Sequence, residues 1–198
     1  MEIISSEVAF PRLSNEEMDV IRANGTCRRY RDGEVVVEAG DHNLDFYVVE
    51  SGSLQIINPA DNDREVTVHH PREFTGDIDL LTRRPSILSA IARGETMLVR
   101  VPGNQFRELL GKLPRLAEKL IVAFQIRRQL LQQAGVAGVK IVGKARCPAT
   151  TILREFLHRN FLPFAWTDSD TPEGLSELER LGKRDGDLPV VECRDGTV

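Results

Sequence analysis

A succession of short β-rich runs, separated by turn residues, occupies residues 27–101 and restricts the fold of this 198-residue chain more than any other feature. Glycines at positions 33, 40 and 52 lie in the turns between runs. The runs cover residues 29–30, 35–37, 46–49, 54–57 and 66–68. Short runs at this interval are typical of a small antiparallel β barrel or sandwich.

Amphipathic segments flank these strands. Ser14 and Glu17 have the spacing of a capping box, which predicts a helix that begins after Ser14 and ends by Gly25. A short helix is expected after Pro102, and a longer one at residues 113–133. The first 133 residues therefore read as one domain with a β core and flanking helices.

Residues 74–90 combine a glycine turn, a carboxylate, a short apolar helical turn and a proline. A glycine that leads into a helical turn lets backbone N–H groups converge on an anion. We predict a phosphate cradle with the N–H groups of Ile78, Ser86 and Ile87 as donors, and with Asp77 accepting from a sugar hydroxyl. The alternative is a plain connection between two barrel strands.

The segments 32–35, 40–41, 46–49, 51–54 and 76–81, followed by Pro85, resemble the cyclic nucleotide-binding domain family. The resemblance spans about residues 13–133 and implies a β jelly-roll barrel, a phosphate-binding cassette at residues 76–90, and two helices after it. It also implies that the ligand contacts are Gly76, Asp77, Ile78, Pro85, Ser86 and Ile87.

The chain departs from this family at two positions. The family has a glutamate after the glycine, which accepts from the ribose 2′-OH, and an arginine after the proline, which pairs with the cyclic phosphate. Asp77 is one methylene shorter than glutamate, and Ser86 offers a neutral donor in place of the charged fork. Losing such a pair costs about 2 kcal/mol, or about thirtyfold in affinity. A degenerate pocket, or a site for another small anionic ligand, is therefore expected.

The long helix has apolar residues at alternating steps of four and three, on a face formed by positions 116, 120, 123, 127 and 130. One of its surfaces is expected to pack on the barrel. The other either pairs with a second copy in a parallel homodimer, as the resemblance implies, or is covered by the chain's own barrel. Arg127 weakens the coiled-coil alternative, because a lone charge in a buried seam is costly.

A second architecture begins after a glycine-containing linker at residues 134–138. Strands and helices alternate in residues 139–198, and a hairpin turn is predicted at Asp195 and Gly196, so that the chain as a whole is α+β. The segment resembles the thioredoxin and glutaredoxin fold, apparently truncated. Cys147 takes the place of that family's nucleophilic cysteine, and Pro189 that of its active-site proline, which is usually cis.

Thr150 replaces the second cysteine of a C-x-x-C pair, so a two-thiol cycle within this motif is excluded. A monothiol reaction at Cys147 remains, because a helix start favours the thiolate. The alternative is an inert, half-buried thiol. Cys27 and Cys193 fall in predicted strands and are expected to be packing residues.

Composition and motifs argue against several classes of protein. A formal net charge of −4 argues against a broad nucleic-acid surface, and no apolar run is long enough for a membrane span. Three widely spaced cysteines suit a reducing compartment, so a cytoplasmic location is expected. No histidine has a partner at metal-ligand spacing, and no dinucleotide, P-loop or serine-hydrolase motif occurs, so neither a metal site nor a self-sufficient enzyme is expected.

These features favour a regulatory ligand-binding domain coupled to a thioredoxin-like redox adaptor. The pairing resembles the N-terminal part of thioredoxin-reductase-like flavoproteins, in which FAD and NADPH would be bound by sequence beyond Val198. One alternative is a transcription regulator resembling the catabolite activator protein family, although no basic helix-turn-helix pattern follows residue 135. Another is a ligand-free dimerisation module.

Overall fold

A computed structural model of the chain describes residues 6–134, 136, 139–160, 162–193 and 197–198. The chain forms two compact units, one ending at Arg127 and one beginning at Arg128. This division falls within a helix, and the linker expected at residues 134–138 stays a prediction. Three of the five linker residues, at positions 135, 137 and 138, lie outside the described residues, as does the predicted turn at Asp195 and Gly196.

The first unit is built on a five-stranded antiparallel sheet in the order β1-β5-β3-β4, with β2 paired to β5. This arrangement confirms the predicted antiparallel β architecture. The strands are β1 Thr26–Tyr30, β2 Val35–Val37, β3 Phe46–Asn58, β4 Arg64–His69 and β5 Ser89–Val101. A short 3-10 helix, Pro59–Asp61, joins β3 to β4.

The turn predicted at Ser51 and Gly52 is wrong, because β3 runs through it without ending. The pairing of β3 with β5 shifts register on both sides of Ser51, so the glycine lies in a bulge. Gly52 has φ +79°, and the Thr96 hydroxyl fills the bulge by accepting from Ser53 N at 3.3 Å and donating to Ser53 O at 3.0 Å.

Five helices belong to the described part of the N-terminal sequence: α1 Ser6–Ala9, α2 Asn15–Ala23, α3 Ile78–Thr82, α4 Gly103–Lys112 and α5 Pro114–Gln133. The capping box is confirmed, because Ser14 Oγ accepts from Glu17 N at 3.1 Å while Ser14 N donates to Glu17 Oε2 at 2.7 Å. The helix predicted after Pro102 is confirmed as α4, for which Pro102 is the cap residue.

Alternation along β3 divides the core of the first unit in two. Phe46 and Val48 point to a cluster shared with α2, α4 and α5, which we call the helix-side cluster. Tyr47 and Val49 point to a cluster shared with the other strands, the barrel-interior cluster. Phe74 belongs to the helix-side cluster, so residues 74–90 begin on that side of the sheet.

The second unit contains β6 Val139–Gly143, α6 Pro148–Arg159, β7 Phe164–Asp168, α7 Pro172–Arg180 and β8 Val190–Cys193, with a 3-10 helix at Asp185–Asp187. The predicted alternation of strands and helices is confirmed. The sheet order is β7-β6-β8, with β7 parallel and β8 antiparallel to β6. Val142, Val190 and Leu178 form the core beneath α7.

Candidate functional site

The segment 74–90, which we call the cassette, is held to the sheet at its beginning. Thr75 N donates to Tyr47 O at 2.8 Å, and Thr75 Oγ1 accepts from Tyr47 N at 3.2 Å. Gly76 has φ +103°, and a Cβ there would lie 3.2 Å from Leu80 and 3.3 Å from Phe124. The backbone conformation therefore favours glycine at this position, and any side chain would also require Leu80 and Phe124 to shift slightly.

Asp77 caps the short helix α3. One of its carboxylate oxygens accepts from Asp79 N at 2.9 Å. Its predicted role as acceptor for a sugar hydroxyl stays a prediction. Asp79 does not lie in solvent as a turn residue would: the first turn of α3 directs it inward, and it is 3% exposed.

The second half of the cassette is joined to the turn at residues 40–41. Ser86 N donates to Asp41 O at 2.9 Å, and Ser86 O accepts from Gly40 N at 2.8 Å. The Ser86 hydroxyl donates to Leu88 O at 2.7 Å. Both donors that Ser86 could offer to an anion are thus already used within the protein.

The remaining predicted contacts differ in what they can offer a ligand. Within the described part of the chain, the N–H groups of Ile78 and Ile87 donate to no protein acceptor. Pro85 is exposed. Ile78, the first residue of α3, and Ile87, which follows Pro85 by two positions, therefore remain candidate backbone donors for an anion.

Arg127 contacts the cassette from α5. The sequence pattern had placed it on the helix face that could pair with a second copy. Its Nη1 donates to Phe74 O and Gly76 O, both at 2.9 Å, and its Nε donates to Ala9 O at 2.7 Å. The side chain is 6% exposed, and burial lowers the pKa of Arg127 to about 9. It lies in its own domain and not in a helix–helix seam. A single arginine on an otherwise apolar helix face could have indicated that its side chain donates hydrogen bonds to carbonyls within the same domain.

His69 is a second buried basic group near the cassette. It is the last residue of β4, and its neighbour His70 is exposed, as expected for adjacent residues of a strand. Burial lowers the pKa of His69 to about 4, against the opposing effect of Glu73, whose carboxylate oxygen lies 3.8 Å from Nδ1. His69 is therefore neutral at pH 7.

Cys147 is the residue before α6, as predicted. Polar groups at the start of α6, first of all the backbone N–H and hydroxyl of Thr150 and then the N–H of Ala149, lower the pKa of the Cys147 thiol. A Cβ on Gly143 would lie 2.6 Å from Thr150 Oγ1 and 3.2 Å from Pro189 Cβ, so Thr150 and Pro189 both adjoin the end of β6. The Leu188–Pro189 peptide bond is cis.

The other two cysteines were expected to be packing residues, and this is wrong. Cys27 on β1 and Cys193 on β8 are both exposed, because each lies on a strand at the edge of its sheet. The described residues contain no group of three or more side chains suited to hold a metal ion. They also contain no helix with the length and apolarity needed to cross a membrane.

Residues 27–112 match the family model described as "Cyclic nucleotide-binding domain". Among curated proteins, the chain is similar to the cAMP-dependent protein kinase regulatory subunits of Blastocladiella emersonii and Dictyostelium discoideum. Each is 30% identical over 46% of this chain. The matched part spans 23% and 29% of the length of these two relatives.

Solved structures agree with the fold. The catabolite activator protein of Thermus thermophilus superposes with a TM-score of 0.52 at 21% identity, over 88% of each chain. A structure described as "Sp-2Cl-cAMPS bound to PKAR CBD2" has a TM-score of 0.51 at 16% identity, over 62% of this chain and 80% of that one. Residues 27–112 therefore resemble a cyclic nucleotide-binding domain in sequence, and the first unit shares the fold of such domains.

Proposed function

We propose that the first unit is a regulatory module that binds a cyclic nucleotide, or another small anionic ligand, at the cassette. The observation that carries the proposal is the glycine turn at Gly76 with Asp77 directly after it, within a domain that matches the cyclic nucleotide-binding family. The similar protein kinase regulatory subunits are named for cAMP dependence, which makes cyclic AMP the first ligand to test.

The affinity is expected to be weak. Ser86 stands where the resemblance places an arginine, and its N–H and hydroxyl donate within the protein. The backbone N–H groups of Ile78 and Ile87 are the candidate donors to the ligand, and the Asp77 carboxylate, which also caps α3, is the proposed acceptor for a sugar hydroxyl. Without a charged fork, a loss of about thirtyfold relative to a site that has one is expected.

Calorimetric titration with cyclic AMP and cyclic GMP, each to millimolar concentration, tests the proposal. Saturable heat is expected with at least one of them. Asp77→Asn keeps an oxygen that caps α3 but removes the charge, so it should weaken binding. Asp63→Asn, at an exposed turn residue, is the matched control and should bind like the wild type. No heat with either nucleotide would exclude cyclic nucleotides as ligands.

We also propose that residues 139–198 are a thioredoxin-like adaptor in which Cys147 acts as a single thiol. The position of Cys147 directly before α6, which lowers the pKa of its thiol, supports this proposal. The thiolate would attack one sulfur of a disulfide, form a mixed disulfide and release the other sulfur as a thiolate. FAD and NADPH chemistry would belong to a flavoprotein portion of the kind that the sequence resembles.

Glutathione disulfide is a suitable probe for this second role. Incubation should yield one glutathione adduct that maps to Cys147 by mass spectrometry and is absent from Cys147→Ser. Because Cys27 and Cys193 are exposed, they are first replaced by serine in both proteins. An unmodified Cys147 under conditions that modify an ordinary exposed thiol would end the redox proposal.

A DNA-binding regulator is a further candidate, favoured by the superposition on the catabolite activator protein. Two observations weigh against it: the net charge of −4, and the strand β7, which separates α6 from α7 in the described part of the second unit. A salt-sensitive gel shift with duplex DNA would revive this candidate, and its absence would leave the redox adaptor. A cytoplasmic location is part of the redox-adaptor proposal.

Pairing of two copies through the helix at residues 113–133 also remains a proposal. Leu116, Leu120 and Ala123 are buried, so the predicted seam is not the surface that a partner would meet. The exposed stripe of α5 consists of Arg115, Glu118, Val122, Gln125 and Gln129. Sedimentation velocity should report a dimer that Val122→Glu dissociates. A wild-type monomer at high micromolar concentration would contradict the proposal and remove the ligand-free dimerisation module.

A further inference from the structure

Arg127 reaches the first residues of the cassette from the opposite end of the domain sequence. Its Nη1 is shared between Phe74 O and Gly76 O, and its Nε is bonded to Ala9 O. The guanidinium carbon lies 4.4 Å from the centre of the Phe74 ring and 4.9 Å from that of Phe10. Three carbonyls and two aromatic faces therefore hold this cation in one place.

The position of Phe74 fixes the side of the cassette on which Arg127 acts. Phe74 belongs to the helix-side cluster, and the guanidinium lies over its ring. Leu88 and Ala90, at the end of the cassette, belong to the barrel-interior cluster. Arg127 is therefore behind the start of the cassette, and it does not stand in for the arginine that is missing after Pro85.

What Arg127 can control is the orientation of one peptide group. The carbonyl of Gly76 and the N–H of Asp77 belong to the same planar trans peptide, so they point in opposite directions. A bond from Arg127 to Gly76 O turns the Asp77 N–H away from the helix-side cluster. Glycine allows many orientations of this peptide, so an outside partner is needed to select one.

We propose that Arg127 is a positioning residue for ligand binding: it holds the Gly76 carbonyl and thereby directs the Asp77 N–H and the start of α3 toward the ligand. This inference rests on the proposed function of the cassette. The carboxylate of Asp77 in turn stabilises the charged form of the buried guanidinium, so the two residues are coupled electrostatically as well.

Arg127→Met tests the proposal because it keeps much of the side-chain volume and removes the two nitrogens, Nε and Nη1, that make the three hydrogen bonds. Lys119→Met is the matched control. Lys119 is also a basic residue of α5 that reaches another element, through its 2.7 Å bond to Glu17, but it does not touch the cassette. Arg127→Lys keeps a positive charge but has one nitrogen in place of the planar fork.

Two readouts are taken on each variant. The first is affinity for cyclic AMP and cyclic GMP by calorimetry, and the second is the amide ¹⁵N–¹H resonance and hydrogen exchange of Asp77 in the ligand-free protein. Arg127→Met should bind about tenfold more weakly than Lys119→Met, as expected for one misdirected hydrogen bond. Its Asp77 amide should shift and exchange faster, while the Lys119→Met amide stays as in the wild type.

Should Arg127→Met fail to fold, Arg127→Lys decides, with a smaller loss of affinity and a displaced Asp77 amide as the expected result. Wild-type affinity together with an unchanged Asp77 amide in either folded Arg127 variant would overturn the proposal. If the wild type binds neither nucleotide, the proposed function fails on its own. The Asp77 amide then decides alone whether Arg127 positions the peptide.

Discussion

At the scale of single residues, two buried basic side chains, His69 and Arg127, lie near the start of the cassette. The Phe10 ring adjoins both, with its centre 5.8 Å from that of the His69 ring and 4.9 Å from the Arg127 guanidinium carbon. Burial lowers the pKa of His69 to about 4 and that of Arg127 to about 9. His69 is neutral and Arg127 charged at pH 7, and protonating His69 would place a second cation beside the first.

The depressed pKa of His69 predicts a loss of stability in mild acid. The unfolded chain takes up a proton near pH 6.5 while the folded protein does not until about pH 4, so stability falls as the pH falls through this window. The free energy of unfolding should drop by about 2 kcal/mol between about pH 7 and about pH 5. Urea unfolding followed by circular dichroism measures it.

His69→Gln should flatten this part of the pH profile, whereas His42→Gln, at an exposed position, should leave it unchanged. Glu73 also has a lowered pKa, but its effect falls below the ordinary glutamate value and outside the window. The same pH dependence in His69→Gln as in the wild type would show that another group is responsible.

Cys147 gives a second prediction at this scale. Its thiol should titrate at a lower pH than an ordinary exposed cysteine, because the N–H and hydroxyl of Thr150 lower its pKa. Alkylation rate against pH, in a protein with Cys27→Ser and Cys193→Ser, reports the pKa. Thr150→Val should raise it part of the way, since the backbone N–H remains. An ordinary midpoint in the parent protein would contradict this account.

At the scale of elements, local patterns predicted helix ends better than they predicted strand ends. The capping box at Ser14 and Glu17 is complete within three residues, so the sequence alone specifies it. Gly52 lies in a bulge because Thr96, 43 residues from Ser53, closes it with two hydrogen bonds. A turn and a bulge have the same local sequence, and the distant partner decides between them.

The bulge predicts different costs for two glycine substitutions. Gly52 and Gly33 have similar positive φ, +79° and +76°. A Cβ on Gly52 would lie 2.5 Å from Glu95 O, whereas a Cβ on Gly33 would point into open space. Gly33→Ala should lower the free energy of unfolding by about 1 kcal/mol, because alanine is strained at this positive φ. Gly52→Ala should cost about 2 kcal/mol more, because the β5 backbone must move. Equal losses in urea unfolding would contradict the assigned bulge.

Helix α5 shows the same limit of local inference. Its periodicity correctly marked Leu116, Leu120 and Ala123 as buried, but it could not show which surface buries them. Arg127 bonds to residues 118, 53 and 51 positions away, so its role depends on the folded domain. A buried charge that is costly in a dimer seam is stabilised here by carbonyls and aromatic rings.

At the scale of the whole molecule, the short β runs and their turns were sufficient to predict an antiparallel β domain, whereas the ligand-binding role of residues 76–90 stays a prediction. The chemistry of the cassette was harder to predict, because it depends on what each backbone donor already contacts. The sequence predicts that Ser86 offers its N–H to an anion, yet Asp41 O accepts this N–H. The capping role of Asp77 follows from its place before α3, whereas the inward direction of Asp79 depends on how α3 packs.

The central claim is that the cassette keeps the shape of a cyclic nucleotide site and lacks its charged fork. Ser86→Arg restores the fork at the position that the family resemblance assigns, while Gln105→Arg adds the same charge at an exposed position on α4. Calorimetric titration of both variants with cyclic AMP and cyclic GMP is the most direct test. Binding by Ser86→Arg should be about thirtyfold tighter than in the wild type, with Gln105→Arg unchanged. No gain in Ser86→Arg, or an equal gain in both variants, would contradict the claim.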